Sequence, residues 1–257
     1  MHYLPDPTGA ARLNTEQLRN TFLVRELFVA GTIALRLVDL DRVVLGGVVP
    51  LATPISLPTP DALRAQFFCE RRELGVLNIG GAGTVTVDGA PFSLATKDVL
   101  YVGRGSKAVT FTSAKAATPA RFYLVSYPAH ATYPTALATA ADTHATVLGT
   151  PATSNHRTVR RYIHAAGVRS AQLVMGVTTL EPGSVWNTMP THTHDRRTEV
   201  YLYFGVPRDA MVVHLLGEPQ ETRHVIVRDA EVALSPGWSI HSGCGTSAYS
   251  FCWAMGG

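Results

Sequence analysis

Short β-like runs separated by turn residues recur along most of this chain, and they leave few folds open. The stretches "TIALRLVDLDRVVLGGVVPL", "LGVLNIGGAGTVTVDG", "KDVLYVG", "AVTFTS", "AQLVMGVTTLEPGSVW", "EVYLYF", "AMVVHLLG", "RHVIVRD" and "EVALSP" are rich in Val, Ile, Leu and Thr. Gly, Asp and Pro punctuate them. Branched and aromatic side chains suit a pleated, half-buried surface, and many short strands at close spacing build a sandwich or barrel. Val85-Thr86-Val87 running into Asp88-Gly89 predicts a hairpin, because that dipeptide accepts the positive φ angles of a tight turn. Only residues 14–24, "NTEQLRNTFLV", read as a clear helix, with Asn14 as its N-cap and Gln17 three positions on. The expected fold class is all-β with a few short helices.

The 257 residues, 46% of them hydrophobic, suffice for one large core or two smaller ones. Between 128 and 157 the texture changes to "PAHATYPTALATAADTHATVLGTPATSNHR", rich in Ala, Thr and Pro, which predicts a surface linker. Residues 1–127 and 158–257 are then two β-rich halves. A faint repeat relates them. "RRELGV" and "RRTEV" each open with paired arginines and lead into a strand through Glu73 and Glu199. "DVLYVGRGSK" aligns with "EVALSPGWSIH" with one gap, placing Lys107 where His241 stands.

Several classes of partner are set aside by composition. The net charge is +3, and the pairs Arg71-Arg72, Arg160-Arg161 and Arg196-Arg197 are too short to track a nucleic-acid backbone. Cys69, Cys244 and Cys252 have no C-x-x-C spacing, so neither a disulfide framework nor a thiolate zinc site is expected. The first twenty residues lack a signal-peptide layout, and no apolar run reaches the length of a membrane span. The cytoplasm is the expected compartment.

The chemistry concentrates in "MPTHTHDRRTEVYLYF", residues 189–204. A divalent metal needs three or four imidazole or carboxylate ligands arriving from different directions. In a strand, His192 and His194 share a face. Glu199 has the wrong parity for the same unbroken strand, so "DRRT" must turn and deliver it from the next one. His241, after the turn in "SPGWSI", closes the set from a fourth direction. A His-x-His, a Glu and a late His after a turn form the pattern of cupins.

Longer motifs narrow this. "NTMPTHTHDRRTEVYLYF", "GEPQETRHVIVRD", "SPGWSIHSGCGTSAYSFCWAMGG", "RRELGVLNIGGAGTVTVDG" and "LYVGRG" resemble the 5-keto-4-deoxyuronate isomerase family from about "LRNTFLV" onward. The resemblance implies a bicupin whose C-terminal half binds one Zn²⁺ per subunit through His192, His194, Glu199 and His241. The N-terminal half, lacking ligands, is then a scaffold or oligomerisation half. It further implies a homo-oligomer, a hexamer, acting in pectin and uronate breakdown. The reaction would convert 4-deoxy-L-threo-5-hexosulose uronate to 3-deoxy-D-glycero-2,5-hexodiulosonate. Isomerisation of another deoxyuronate such as 5-deoxyglucuronate, an iron-dependent oxygenase on the same ligand geometry, and a non-catalytic sugar-binding cupin are the competing readings.

Moving a carbonyl from C1 to C2 needs a base near C2, and the polar "PQETRH" makes Glu221 the candidate. A guanidinium fork for the substrate carboxylate is sought among Arg197, Arg223 and Arg161. Tyr201 and Tyr203 share the inward parity of Glu199, either lining the pocket or filling the barrel. His214, flanked by Val and Leu, reads as a hydrogen-bonded barrel residue. Trp186 and Trp238 read as packing.

Overall fold

The computed structural model describes all residues 1–257, and strands dominate it. Two short helices, Pro7–Ala11 and Thr15–Phe22, stand at the N-terminal end. The second carries the expected reciprocal cap: Gln17 N donates to Asn14 Oδ1 and Asn14 N donates to Gln17 Oε1, each at 2.9 Å. It stops at Phe22, and Leu23–Val24 continue as a strand.

The chain forms two compact units that are not consecutive in sequence. The first comprises Met1, 26–143 and 161–175; the second comprises 2–25, 144–160 and 176–257. Residues 128–157 are not devoid of strands. Ala136–Ala138 pairs with Val99–Val102 at the edge of one sheet, and Ala145–Leu148 pairs with Arg157–Ile163 at the edge of another.

In the first unit a six-stranded sheet runs in the order Ala136–Ala138, Val99–Val102, Arg72–Asn78, Phe122–Pro128, Val44–Val48, Ile33–Leu37. A four-stranded sheet of Ile55–Ser56, Val109–Ser113, Gly83–Val87 and Ala90–Leu94 accompanies it. The predicted hairpin is there, with Val87 paired to Ala90 and both Asp88 and Gly89 at positive φ. Alternate side chains such as Val85, Val87, Phe111, Phe122 and Leu124 make its core.

In the second unit the larger sheet runs Leu23–Val24, Glu231–Ser235, Thr198–Phe204, Ser250–Gly256, Val174–Leu180, Arg157–Ile163, Ala145–Leu148. The smaller one is Trp186–Asn187, Ser242–Gly245, Val212–Glu218, Glu221–Val227. Apart from its seventh strand, Ala145–Leu148, this is the order of the first unit: Thr198–Phe204 lies between Glu231–Ser235 and Ser250–Gly256 as Arg72–Asn78 lies between Val99–Val102 and Phe122–Pro128. The faint sequence repeat is therefore a repeat of topology. Tyr201, Tyr203, Val212, Leu216, Val225 and Phe251 fill the second core, against which Phe22 and Leu18 of the capped helix pack.

Candidate metal centre

Glu199 is fixed by its strand. It pairs with Ser235 on one side and Met255 on the other, which places its buried carboxylate on the inner face of the second unit. His192 and His194 are not on a strand. They lie in the irregular segment between Trp186–Asn187 and Thr198–Phe204, so their convergence comes from the loop path and not from strand parity. That path is held by Gly237. Its carbonyl accepts from His194 N at 3.0 Å, and a Cβ on Gly237 would stand 2.6 Å from the His194 carbonyl oxygen. Only glycine admits so close an approach. His241 follows the turn closed by Ser239 N and the Pro236 carbonyl, and it is 1% exposed.

The three imidazoles form a near-equilateral set, with ring centroids 5.0 Å apart for His192–His194, 4.7 Å for His192–His241 and 4.9 Å for His194–His241. One ligand atom from each lies within 4.8 Å of the others. Glu199 Oε2 is 3.2 Å from His194 Nε2 and 3.1 Å from His241 Nε2. Separations of this size are those between two ligands of one tetrahedral ion with bonds of about 2.0–2.1 Å. Despite that proximity, His241 Nε2 is buried without a hydrogen bond of proper geometry. A buried lone pair left without a donor is costly, and a cation among these atoms would satisfy it. Burial lowers the pKa of His241, with repulsion from His192 and His194 adding to the effect and Glu199 opposing it. The ring is thereby kept in the neutral form that ligates metal. His192 Nδ1 lies 3.2 Å from the Pro190 carbonyl, a contact that leaves Nε2 free to ligate. The residues present fit a divalent ion.

The cluster forms one wall of a cavity of about 230 Å³. Arg157, Thr178, Thr188, Tyr201 and Trp253 also line it. Trp253 lies against Gly176, whose absent Cβ would stand 2.2 Å from the indole, and its Nε1 donates to Thr178 Oγ1 at 3.1 Å. Tyr201 is buried, with its hydroxyl 3.4 Å from Thr188 Oγ1. Burial first, and then the Glu199 carboxylate, raise its pKa well above the usual phenol range, so it holds its proton. Arg157 donates from Nη1 to the Asn155 carbonyl at 2.9 Å, and partial burial lowers its pKa.

Tyr203 donates to or accepts from His214 Nδ1 at 2.7 Å in the core and does not line the cavity. His214 is fully buried, as a barrel residue would be, and its Nε2 has no partner. The three cysteines are free thiols.

Residues 52–257 match the KduI/IolB family. A relative from Opitutus terrae, named 4-deoxy-L-threo-5-hexosulose-uronate ketol-isomerase, is 54% identical over 258 aligned residues, covering 100% of this chain and 93% of its own. The chain belongs to the KduI/IolB family. Among solved structures, this KduI/IolB chain is similar to an IolB-like protein of Salmonella typhimurium, with a TM-score of 0.74 at 14% identity over 92% of each chain. It is also similar to Bacillus subtilis oxalate decarboxylase, a protein with Mn(II) centres, with a TM-score of 0.59 at 10% identity over 82% of this chain and 68% of that one. At such identities the likeness is one of fold, an all-β architecture shared with cupin-like proteins.

Not every residue marked in the sequence reaches this cavity. Glu221 lies on the exposed end of its hairpin, ion-paired at 2.5 Å with Arg223 Nη1, and Arg223 Nη2 donates to the Ala11 carbonyl at 2.6 Å. Neither lines the cavity: Glu221 is exposed at the start of its strand, and Arg223 is held at the Ala11 carbonyl. Arg197 contacts Met255 Sδ at 3.8 Å, and Arg161 is exposed; both stand outside the lining. Trp238 packs edge-on against Phe22 at 6.4 Å. The guanidinium that does reach the cavity is Arg157, which sequence reading passed over, as it did Trp253 and Thr178. The "NHRTVRRYI" run carries a visible signal: Arg157 and Val159 are one strand period apart, so an inward valine implied an inward arginine.

Proposed function

We propose that this protein is a metal-dependent ketol-isomerase of 4-deoxy-L-threo-5-hexosulose uronate, giving 3-deoxy-D-glycero-2,5-hexodiulosonate in pectin and uronate catabolism. The observation that carries the reading is the meeting of Glu199 Oε2 with two imidazole nitrogens at 3.1 and 3.2 Å in the wall of a cavity that also contains a guanidinium. His192, His194, Glu199 and His241 would hold one Zn²⁺. The full-length likeness to named ketol-isomerases supports the reaction class.

When bound, the ion supplies Lewis acidity that eases removal of the proton beside a carbonyl. The chain's own residues do the rest. Arg157 offers a planar fork to the substrate carboxylate. Tyr201, held protonated, donates a hydrogen bond to a substrate oxygen where negative charge develops. Thr178 and Thr188 orient hydroxyls, and Trp253 with Phe251 and Met255 gives the cavity an apolar wall that limits water. The first unit, which has no histidine in the matching position, acts as a scaffold half of a bicupin. A homo-oligomer, a hexamer, working in the cytoplasm is part of the same reading.

Metal analysis together with NMR of the sugar in deuterated buffer under anaerobic conditions tests this. Stoichiometric zinc and oxygen-independent turnover are expected. Turnover that needs oxygen and iron would replace the isomerase with an oxygenase, and a zinc-loaded protein active only on 5-deoxyglucuronate would move the substrate within the family.

A further inference from the structure

The first unit has a cavity of its own, about 260 Å³ in volume, lined by Arg42, Arg71 and Arg72 and by apolar groups including Leu37, Val44 and Leu63. No carboxylate is among its lining residues. Arg72 is the unusual member, a guanidinium only 7% exposed. Its Nε donates to Ser126 Oγ at 3.1 Å, and its Nη2 donates to the carbonyls of Ser126 at 2.7 Å and Arg42 at 2.6 Å. Nη1 takes no part in these bonds. The adjacent Glu73 is committed elsewhere, to Tyr101 and to backbone amides. Burial and the neighbouring Arg42 lower the pKa of Arg72 to about 10, still cationic at neutral pH. An uncompensated buried charge is expensive unless something pairs with it.

Arg42 sits at the tip of the turn between Ile33–Leu37 and Val44–Val48, closed by Val43 N donating to the Leu40 carbonyl at 3.0 Å. Asp41 and Arg42 both have positive φ, 50° and 55°. A turn of this type favours glycine at its second central position. An arginine is held there against that preference. Arg71 completes the set: its side chain is 63% exposed, with Nη2 3.9 Å from Glu70.

We propose that this cavity binds a small organic oxyanion, a carboxylate or phosphate on a short apolar stem, with Arg72 as the buried charge and Arg42 and Arg71 at the mouth. Two or three convergent guanidinium groups recognise planar or tetrahedral oxyanions through charge-assisted hydrogen bonds, and the aliphatic walls take the stem. The site is separate from the histidine cluster and does not rest on the isomerase reading.

The test uses the full-length protein, with butanoate and butyl phosphate as probes at constant ionic strength and butanol as the uncharged control. Binding is followed by calorimetry and by ligand-observed NMR. Saturable binding of at least one anion, with a Kd on the order of 1 mM or tighter and none for butanol, is expected. Preference between the two anions tells whether the natural head group is carboxylate or phosphate. Arg42→Gly is the decisive variant, because glycine suits the positive φ and keeps the carbonyl that Arg72 uses. It should fold as well as the parent and bind the anion roughly tenfold more weakly or worse. Arg71→Gln should weaken binding as well, by a smaller factor. No saturable binding of either anion, or binding that Arg42→Gly leaves unchanged, overturns the proposal.

Discussion

Glu73 and Glu199 are the second residues of matching strands in the two units, and their buried carboxylates meet opposite kinds of partner. Glu73 is surrounded by hydrogen-bond donors: Oε1 accepts from Gln172 N at 2.7 Å and Leu173 N at 2.6 Å, and Oε2 accepts from Ala171 N and the Tyr101 hydroxyl, both at 2.7 Å. Glu199 instead faces two imidazole nitrogens and the cavity. One topology thus carries the same acid twice, once held by backbone amides and once set among imidazoles.

Substitution should separate those roles. Glu73→Gln leaves an amide nitrogen facing donors and should cost about 2–4 kcal/mol of stability, read by urea unfolding, with metal content per folded chain unchanged. A loss of metal without a loss of stability would contradict the assignment.

Glu199→Gln and His241→Ala should do the reverse. Metal affinity should fall by more than the roughly 10–100-fold typical of residues that only support ligands, and turnover should fall with it. Competition against a chromogenic chelator measures the first, and readdition of zinc to the chelated parent, restoring activity, checks that the loss is reversible.

Arg157→Lys keeps the charge but not the planar fork. For a carboxylate-bearing sugar we expect KM to rise about 10–100-fold, the equivalent of one charge-assisted hydrogen-bond pair, while zinc stoichiometry is unaffected. An unchanged KM would remove Arg157 from the carboxylate subsite.

His214 gives a pH signature. Burial, with a smaller contribution from His241, depresses its pKa from 6.5 to about 3. Below pH 6.5 the unfolded chain takes up a proton that the native ring refuses, so stability drains away as pH falls from about 6.5 toward about 3. Above 6.5 the residue contributes no pH dependence. The limiting slope for one such group is about 1.4 kcal/mol per pH unit. His214→Gln, compared with the parent by denaturant titrations across that window, should flatten the profile by up to this amount. Parallel profiles would mean the ring titrates normally.

Local features were legible in the sequence because their physics is local. Asn14 with Gln17 declares a helix start and Asp88-Gly89 declares a turn, whereas the parity argument for His192 and His194 assumed a strand where the chain has a loop. Features set by distant pairing were not. His192 and His194 converge along a loop that Gly237 holds from more than forty residues away. Glu221 looked exceptional between apolar strands, yet a hairpin end is where a polar residue costs least, and Arg223 answers it. Arg157 had a parity signal in Val159, but which cavity it would face was set only when its strand joined the sheet that bears Glu199.

The strand Leu23–Val24 pairs with Glu231–Ser235, so the second unit is completed by residues from opposite ends of the chain. During synthesis the capped helix and its following strand must wait for a partner that emerges about two hundred residues later. Such distant closure is slow, and transiently unpaired edges invite mispairing. The first unit, apart from Met1, draws on residues 26–143 and 161–175 and is complete much earlier. The first unit is therefore the one equipped to fold earlier, and the unit that carries the His192, His194 and His241 cluster closes later.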